Sequence, residues 1–177
     1  MILSKRFINN KIRTLSRAAA SRAHCYRSFD DVRYVLLLCE ARDWNMVSPC
    51  INLMKERGKT VHVCVYIQKQ DETPIWDYAY LLVEADSDVD FWGFPRKNVR
   101  NQLNGLSVDI LIDFTGREQV VMRYLALQHP AAFKVGAKYA SDGDMYDLSI
   151  VMKDEVHDIP FLFKQILNYL QIIRSRQ

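Results

Sequence analysis

Two short groups of polar residues stand where an α/β chain could do chemistry. Glu40, Arg42 and Asp43 follow the apolar run Tyr34–Cys39, and Asp113, Thr115 and Arg117 follow the run Ile110–Ile112. In an open α/β sheet, ligands bind beyond the carboxyl ends of the strands, at the point where strand order reverses. Carboxylates meeting there can serve as a general base or hold a metal. These six residues are the ligand-binding candidates, and an enzymatic reading would place the catalysis on Asp43 and Asp113. Acids and hydroxyls at strand ends also cap the helix that follows, which is the competing role for Asp113 and Thr115.

Other catalytic signatures are missing. There is no GxGxxG after the first apolar run, no GxxxxGK[ST], and no GxSxG elbow. Six glycines leave little material for a backbone phosphate cradle. His24, His62, His129 and His157 are scattered, and Cys25, Cys39, Cys50 and Cys64 form no CxxC pair. The sequence therefore leads us to expect no metal and no cofactor. Cysteines within apolar runs suit a reduced, cytoplasmic protein.

The elements that must position these residues are legible in outline. Tyr34–Cys39 is continuously apolar and reads as a strand buried on both faces. Ser48-Pro49 can open the next helix, Gly58 can end it, and Val61–Ile67 reads as the second strand. Ile110–Ile112 reads as a third strand, followed by a helix that begins near Glu118 and closes at His129-Pro130. Phe133–Gly136 and Leu148–Met152 supply two more strands, and Ile159–Ile173 a terminal helix striped with Leu162, Ile166, Tyr169, Leu170 and Ile173. Gln68–Pro74 is polar and loop-like, and Trp76–Val83 is apolar without a clean period. Alternating βαβ units predict a three-layer, Rossmann-like α/β domain with a mostly parallel sheet.

Charge is segregated along the chain. Of 24 basic side chains, seven lie in residues 1–27 with no acid, and the remaining 17 face 21 acids, leaving the body at −4. Met1, Ile8, Ile12, Leu15 and Ala19 fall on one side of a helical wheel, with Arg6, Arg13 and Arg17 opposite. This amphipathic arm (1–27) precedes a single α/β domain (28–177). The arm has three readings: a helix packed on the body, an arm docking on RNA phosphates or lipid head groups, or an organelle transit peptide. Under docking, Lys5, Arg6, Lys11, Arg13, Arg17 and Arg22 would meet an anionic partner, either ribosomal RNA or a membrane surface. The protein would then sit in the cytoplasm, peripheral to the ribosome or membrane.

Phe91-Trp92-Gly93-Phe94-Pro95 precedes a basic helix from Arg96 to Leu103. Such aromatics either seal a sheet edge or, beside Lys97 and Arg100, make a base-stacking platform. Asp86, Asp88 and Asp90 lack the glycine and glutamate of a calcium loop and read as a solvated acidic turn.

Two resemblances rest on these residues. Asp43, Leu53 and Val61–Val65, with Asp109, Ile112, Asp113, Lys134 and Gly136, resemble the acceptor half of heptosyltransferase-like (ADP-heptose) glycosyltransferases. That likeness implies a catalytic base at Asp43, although Arg42 stands where that family has glycine. The wider resemblance is to an uncharacterised bacterial family of single α/β domains. It shares the basic amino-terminal helix, Phe91 to Pro95, the D-x-L-I-D strand, the K-V-G strand, and Tyr146, Asp147 and Leu148, and it implies the fold without an activity. The resulting expectation is a non-enzymatic docking module. Its alternative is a degenerate glycosyltransferase-like domain that binds sugar or nucleotide.

Overall fold

The structure, a computed structural model, describes residues 2–20, 26–69, 71, 80–139, 145–153 and 157–173. Arg22, His24 and Cys25 lie outside them, as do the side chains of Lys5 and Arg6. Six strands, β1 (Tyr34–Glu40), β2 (Thr60–Ile67), β3 (Tyr80–Glu84), β4 (Ile110–Asp113), β5 (Phe133–Lys138) and β6 (Leu148–Val151), form one sheet in the order β3-β2-β1-β4-β5-β6. All five pairings are parallel.

Helices α1 (Ile2–Ala20), α3 (Lys97–Asn104) and α4 (Val120–Gln128) cover one face, and α2 (Trp44–Glu56) and α5 (Ile159–Ile172) the other. The domain is a three-layer, Rossmann-like α/β fold.

The period-2 alternation of a strand builds both cores from β1. Val35, Leu37 and Cys39 enter the core under α2 and α5, while Leu36 and Leu38 enter the core under α3 and α4. All five are at most 1% exposed. Each such side chain of leucine size contributes about 1.5–3 kcal/mol by leaving water.

Two expectations need revision. Helix α2 starts at Trp44, four residues before Ser48, so Pro49 lies inside it. A 3₁₀ turn over Ala41–Asp43 runs directly into the helix. Proline at the sixth position then forfeits only the bond to one first-turn carbonyl. The other revision is β3, which occupies the stretch without period. It is an edge strand with mostly half-buried side chains, so neither a continuous apolar run nor strict alternation marks it.

Helix α1 lies on α4, with Ile8 and Ile12 buried in the core on that face. No helix among the described residues is long and apolar enough to cross a membrane.

Candidate functional site

Strand order reverses between β1 and β4. Chain progress runs from β1 outward through β2 and β3 on one side, and from β4 through β5 and β6 on the other. That reversal opens the carboxyl rim of an α/β sheet to ligands. Leu38 pairs with Asp113 across the switch, so Glu40 lies two residues beyond that pair. Glu40 shares its face with Leu36 and Leu38, and Asp113 shares its face with Leu111, which puts both carboxylates on the α4 side.

Glu40, 2% exposed, binds the two halves of the sheet together. Its Oε1 accepts from Arg42 Nη2 at 3.0 Å and from the Gly116 amide at 3.2 Å, and its Oε2 accepts from Gln119 Nε2 at 3.4 Å. A Cβ on Gly116 would lie 3.4 Å from Glu40 Oε1, 3.8 Å from Arg42 Nη2 and 4.0 Å from His157 Cε1. The loop after β4 therefore passes closely between these three side chains.

Asp113 is equally buried. Its Oδ1 accepts from the Thr115 amide at 2.8 Å and hydroxyl at 2.6 Å, and its Oδ2 accepts from the Tyr146 hydroxyl at 2.6 Å. Burial holds this carboxyl above its usual range, with the Thr115 and Tyr146 hydrogen bonds pulling the other way. Asp43 Oδ2 pairs with His157 Nε2 at 3.2 Å. That hydrogen bond raises the imidazole pKa, and burial opposes it.

Five of the six sequence candidates, Glu40, Arg42, Asp43, Asp113 and Thr115, thus meet at the rim. Arg117 is half-buried, and its carbonyl accepts from Arg123 Nη1 at 3.1 Å. The capping expectation for Asp113 and Thr115 takes a different form: Asp113 closes an Asx-type turn on Thr115, and the N-cap of α4 is Gln119 without a side-chain cap bond.

The sequence reading did not find His157, Tyr146 and Gln119. His157 sits two residues before α5, and only the local signal Asp158-Ile159-Pro160 marks that helix start. Asp158 accepts from the Phe161 amide at 2.9 Å as its N-cap.

Chemically the rim is a mostly closed network. The buried carboxylates are taken up by internal donors, while Arg42 is exposed and the His157 ring half-exposed. These two side chains, held by Glu40 and Asp43, are the groups an incoming anion would meet. Cysteine nucleophiles are disfavoured among the described residues, because burial raises the Cys39 and Cys64 thiols and brings Cys50 to about 11. A cleft of about 270 Å³ lies elsewhere, lined by His62, Val63, Tyr80, Leu81, Gln102 and Leu106. No rim residue lines it.

Several motif residues have architectural roles. Asp109 Oδ2 accepts from the Arg33 and Tyr34 amides at 2.8 and 2.9 Å, tying β4 to β1 at the end opposite the rim. Lys134 is buried and donates from Nζ to the Leu127 carbonyl at 3.0 Å, in the last turn of α4. Asp147 Oδ2 accepts from the Lys134 amide at 2.7 Å.

The outer side of α1 is a second surface of interest. Lys11, Arg13 and Arg17 are exposed and make no ion pair among the described residues, whereas Arg27 Nη1 lies 3.7 Å from Asp109 Oδ1. A family model described as a family of unknown function matches residues 3–173. No curated protein and no solved structure matches the chain.

Proposed function

The chain belongs to DUF6913, a family of unknown function, and we propose that it is a non-enzymatic docking module that uses the basic side of α1 on an anionic partner. One observation carries this reading: Ile8 and Ile12 of α1 are taken up by the body, while Lys11, Arg13 and Arg17 pair with no acid among the described residues. Ile8 and Ile12 are buried against the α4 face, whereas Arg13 and Arg17 on the opposite side and Lys11 at its flank are exposed. An interfacial membrane helix needs its apolar side free to enter the lipid. With Ile8 and Ile12 occupied, the apolar surface that α1 still offers is the exposed Phe7 ring, so charge is its main attraction, which favours ribosomal RNA over a membrane surface. Such a module works in the cytoplasm, peripheral to the ribosome.

The test is charge reversal rather than deletion, because removing α1 would strip Ile8 and Ile12 from the core. If three single-strand phosphates are engaged, log affinity falls with log salt at a slope near −2. Raising salt from about 50 to about 200 mM then weakens binding roughly 20-fold. The variant Lys11→Glu/Arg13→Glu/Arg17→Glu should lose retention on heparin and co-sedimentation with ribosomes, in a nuclease-sensitive manner. Co-sedimentation equal to that of the unmodified chain would refute the proposal.

A second reading is favoured by the convergence of Glu40, Asp43 and Asp113 at the strand-order reversal: a sugar- or nucleotide-binding domain of glycosyltransferase-like descent. Under it, nucleotide sugars raise the melting temperature and Asp43→Ala abolishes that rise while the fold is retained.

A further inference from the structure

Among the described residues, the most exposed aromatic side chain, Phe91, lies at the tip of the loop between β3 and α3. Phe91 is 84% exposed and Trp92 49%, and Phe7 of α1, 52% exposed, touches Trp92. Phe7 and Trp92 have ring centroids 5.2 Å apart, and Phe91 and Trp92 5.5 Å, both edge-to-face. Phe94 instead turns inward onto Tyr124, at 5.4 Å. The motif therefore divides, with one ring anchoring the loop and two presented to solvent.

The loop is braced to hold them there. Asp90 Oδ1 accepts from the Trp92 and Phe94 amides, each at 2.9 Å. The Gly93 amide donates to the Asp90 carbonyl at 2.9 Å, and Gly93 has φ +86°, a conformation glycine adopts without a Cβ penalty. The Arg96 amide donates to the Asp88 carbonyl at 2.7 Å and closes the base of the loop. Rings on a braced loop lose little freedom on binding, so contact made there is retained as affinity.

We propose that Phe91, Trp92 and Phe7 form a stacking platform for unpaired bases, with the strand's phosphates led along α1, so that the partner is a single-stranded nucleic acid. This rests on the docking reading and specifies its partner. Charge separates the two jobs. Asp90 within the tip and Asp88 at the base of the loop repel phosphate, although an uncharged base meets no such barrier. Lys11 lies one helical turn beyond Phe7 on the same side, and Arg17, six residues and about 9 Å further along, lies about 120° around the helix, so a strand that reaches both wraps partly around α1. Bases at the tip and phosphates on the helix together make the combination of aromatic platform and cationic track that binds single strands.

The experiment uses the full chain with five probes at about 50 mM salt: labelled 12-mer U RNA, 12-mer T DNA, a 12-base-pair RNA duplex, heparin, and phosphatidylserine vesicles. Salt near this value keeps the phosphate contacts strong enough to measure. Anisotropy and tryptophan emission are read, with vesicle binding followed by co-flotation. Both single strands, or the RNA alone, should bind and quench emission. Phe91→Ala/Trp92→Ala at the exposed tip should weaken that binding about 10-fold or more while leaving heparin binding unchanged. The charge-reversed α1 variant should lose both.

If heparin binds but the alanine variant binds single strands as the parent does, the platform fails and the docking reading stands. Failure of both heparin and oligonucleotides to bind defeats both. Equal affinity for duplex, or vesicle binding that depends on Trp92 with no oligonucleotide binding, overturns the single-strand proposal. Phe91→Leu/Trp92→Leu keeps an apolar tip without ring faces, and should weaken single-strand binding as the alanine pair does.

Discussion

Gly136→Ala is expected to be among the more damaging single-methyl additions in this protein. Gly136 lies in β5 and pairs with Asp113 of β4. A Cβ there would sit 2.6, 2.7 and 2.9 Å from Tyr146 Cε2, Cζ and Cδ2. Carbon atoms settle at about 3.5–4.0 Å, so the ring must retreat by about 1 Å. Tyr146 is buried and its hydroxyl donates to Asp113 Oδ2 at 2.6 Å, so a retreat of that size breaks the bond.

Two costs follow: about 1–3 kcal/mol for overpacking and about 1–3 kcal/mol for a buried acceptor that loses its donor. Together they predict a loss of roughly 2–6 kcal/mol, read as a lower urea midpoint with unchanged m. Tyr146→Phe should cost only the hydrogen-bond part. A Tyr146→Ala background removes the three nearest contacts of the added methyl, so there Gly136→Ala should become neutral or stabilise by up to about 1 kcal/mol. Equal cost of Gly136→Ala in both backgrounds would show that the Tyr146 contact is not the cause.

Three further outcomes follow from the titrating groups. Burial raises the Asp113 pKa above its ordinary value near 3.8, so the folded state holds that proton more tightly and stability falls as pH rises through the folded pKa. Tyr146→Phe removes a donor to the charged form, which should extend that fall to higher pH in urea titrations. His157 is raised above 6.5 by its hydrogen bond to Asp43, so its contribution is full below 6.5 and lost as pH rises through the folded pKa; Asp43→Asn should remove this dependence and lower the His157 midpoint in proton NMR. Burial lowers His129 to about 4, and the Ala131 amide donates to its Nδ1 at 3.0 Å. Falling pH from about 6.5 to 4 should therefore destabilise the protein by roughly 3 kcal/mol, with an NMR midpoint near 4 for that ring.

Much of the fold is written in local pattern. The runs Tyr34–Cys39 and Ile110–Ile112, the helical stripe on Ile159–Ile172 and Gly58 after α2 each report their own conformation. Propensity and periodicity act within about a dozen residues. Gly58 does take φ +74°, with its amide donating to the Lys55 carbonyl at 2.9 Å. Strand β3 escapes this logic because an edge strand is only half buried, and Pro49 misleads because a neighbouring 3₁₀ turn lets the helix begin earlier. Rim position was legible for Glu40, Asp43 and Asp113, since strand ends and ligand sites coincide in parallel sheets.

Sequence by itself determined the element types other than β3, the mostly parallel sheet and the excess of positive charge at the start of the chain, because each depends on residue type and short-range period. Tertiary structure alone decided which groups meet. Glu40 reaches the Gly116 amide across 76 positions, and Asp43 reaches His157 across 114. It also decided that Ile8 and Ile12 spend the apolar side of α1 on the core, that Lys11, Arg13 and Arg17 remain outside, and that Phe7 meets Trp92. The physical reason is strand order: pairing β1 with β4 brings distant loops to one rim, and no periodicity encodes that juxtaposition.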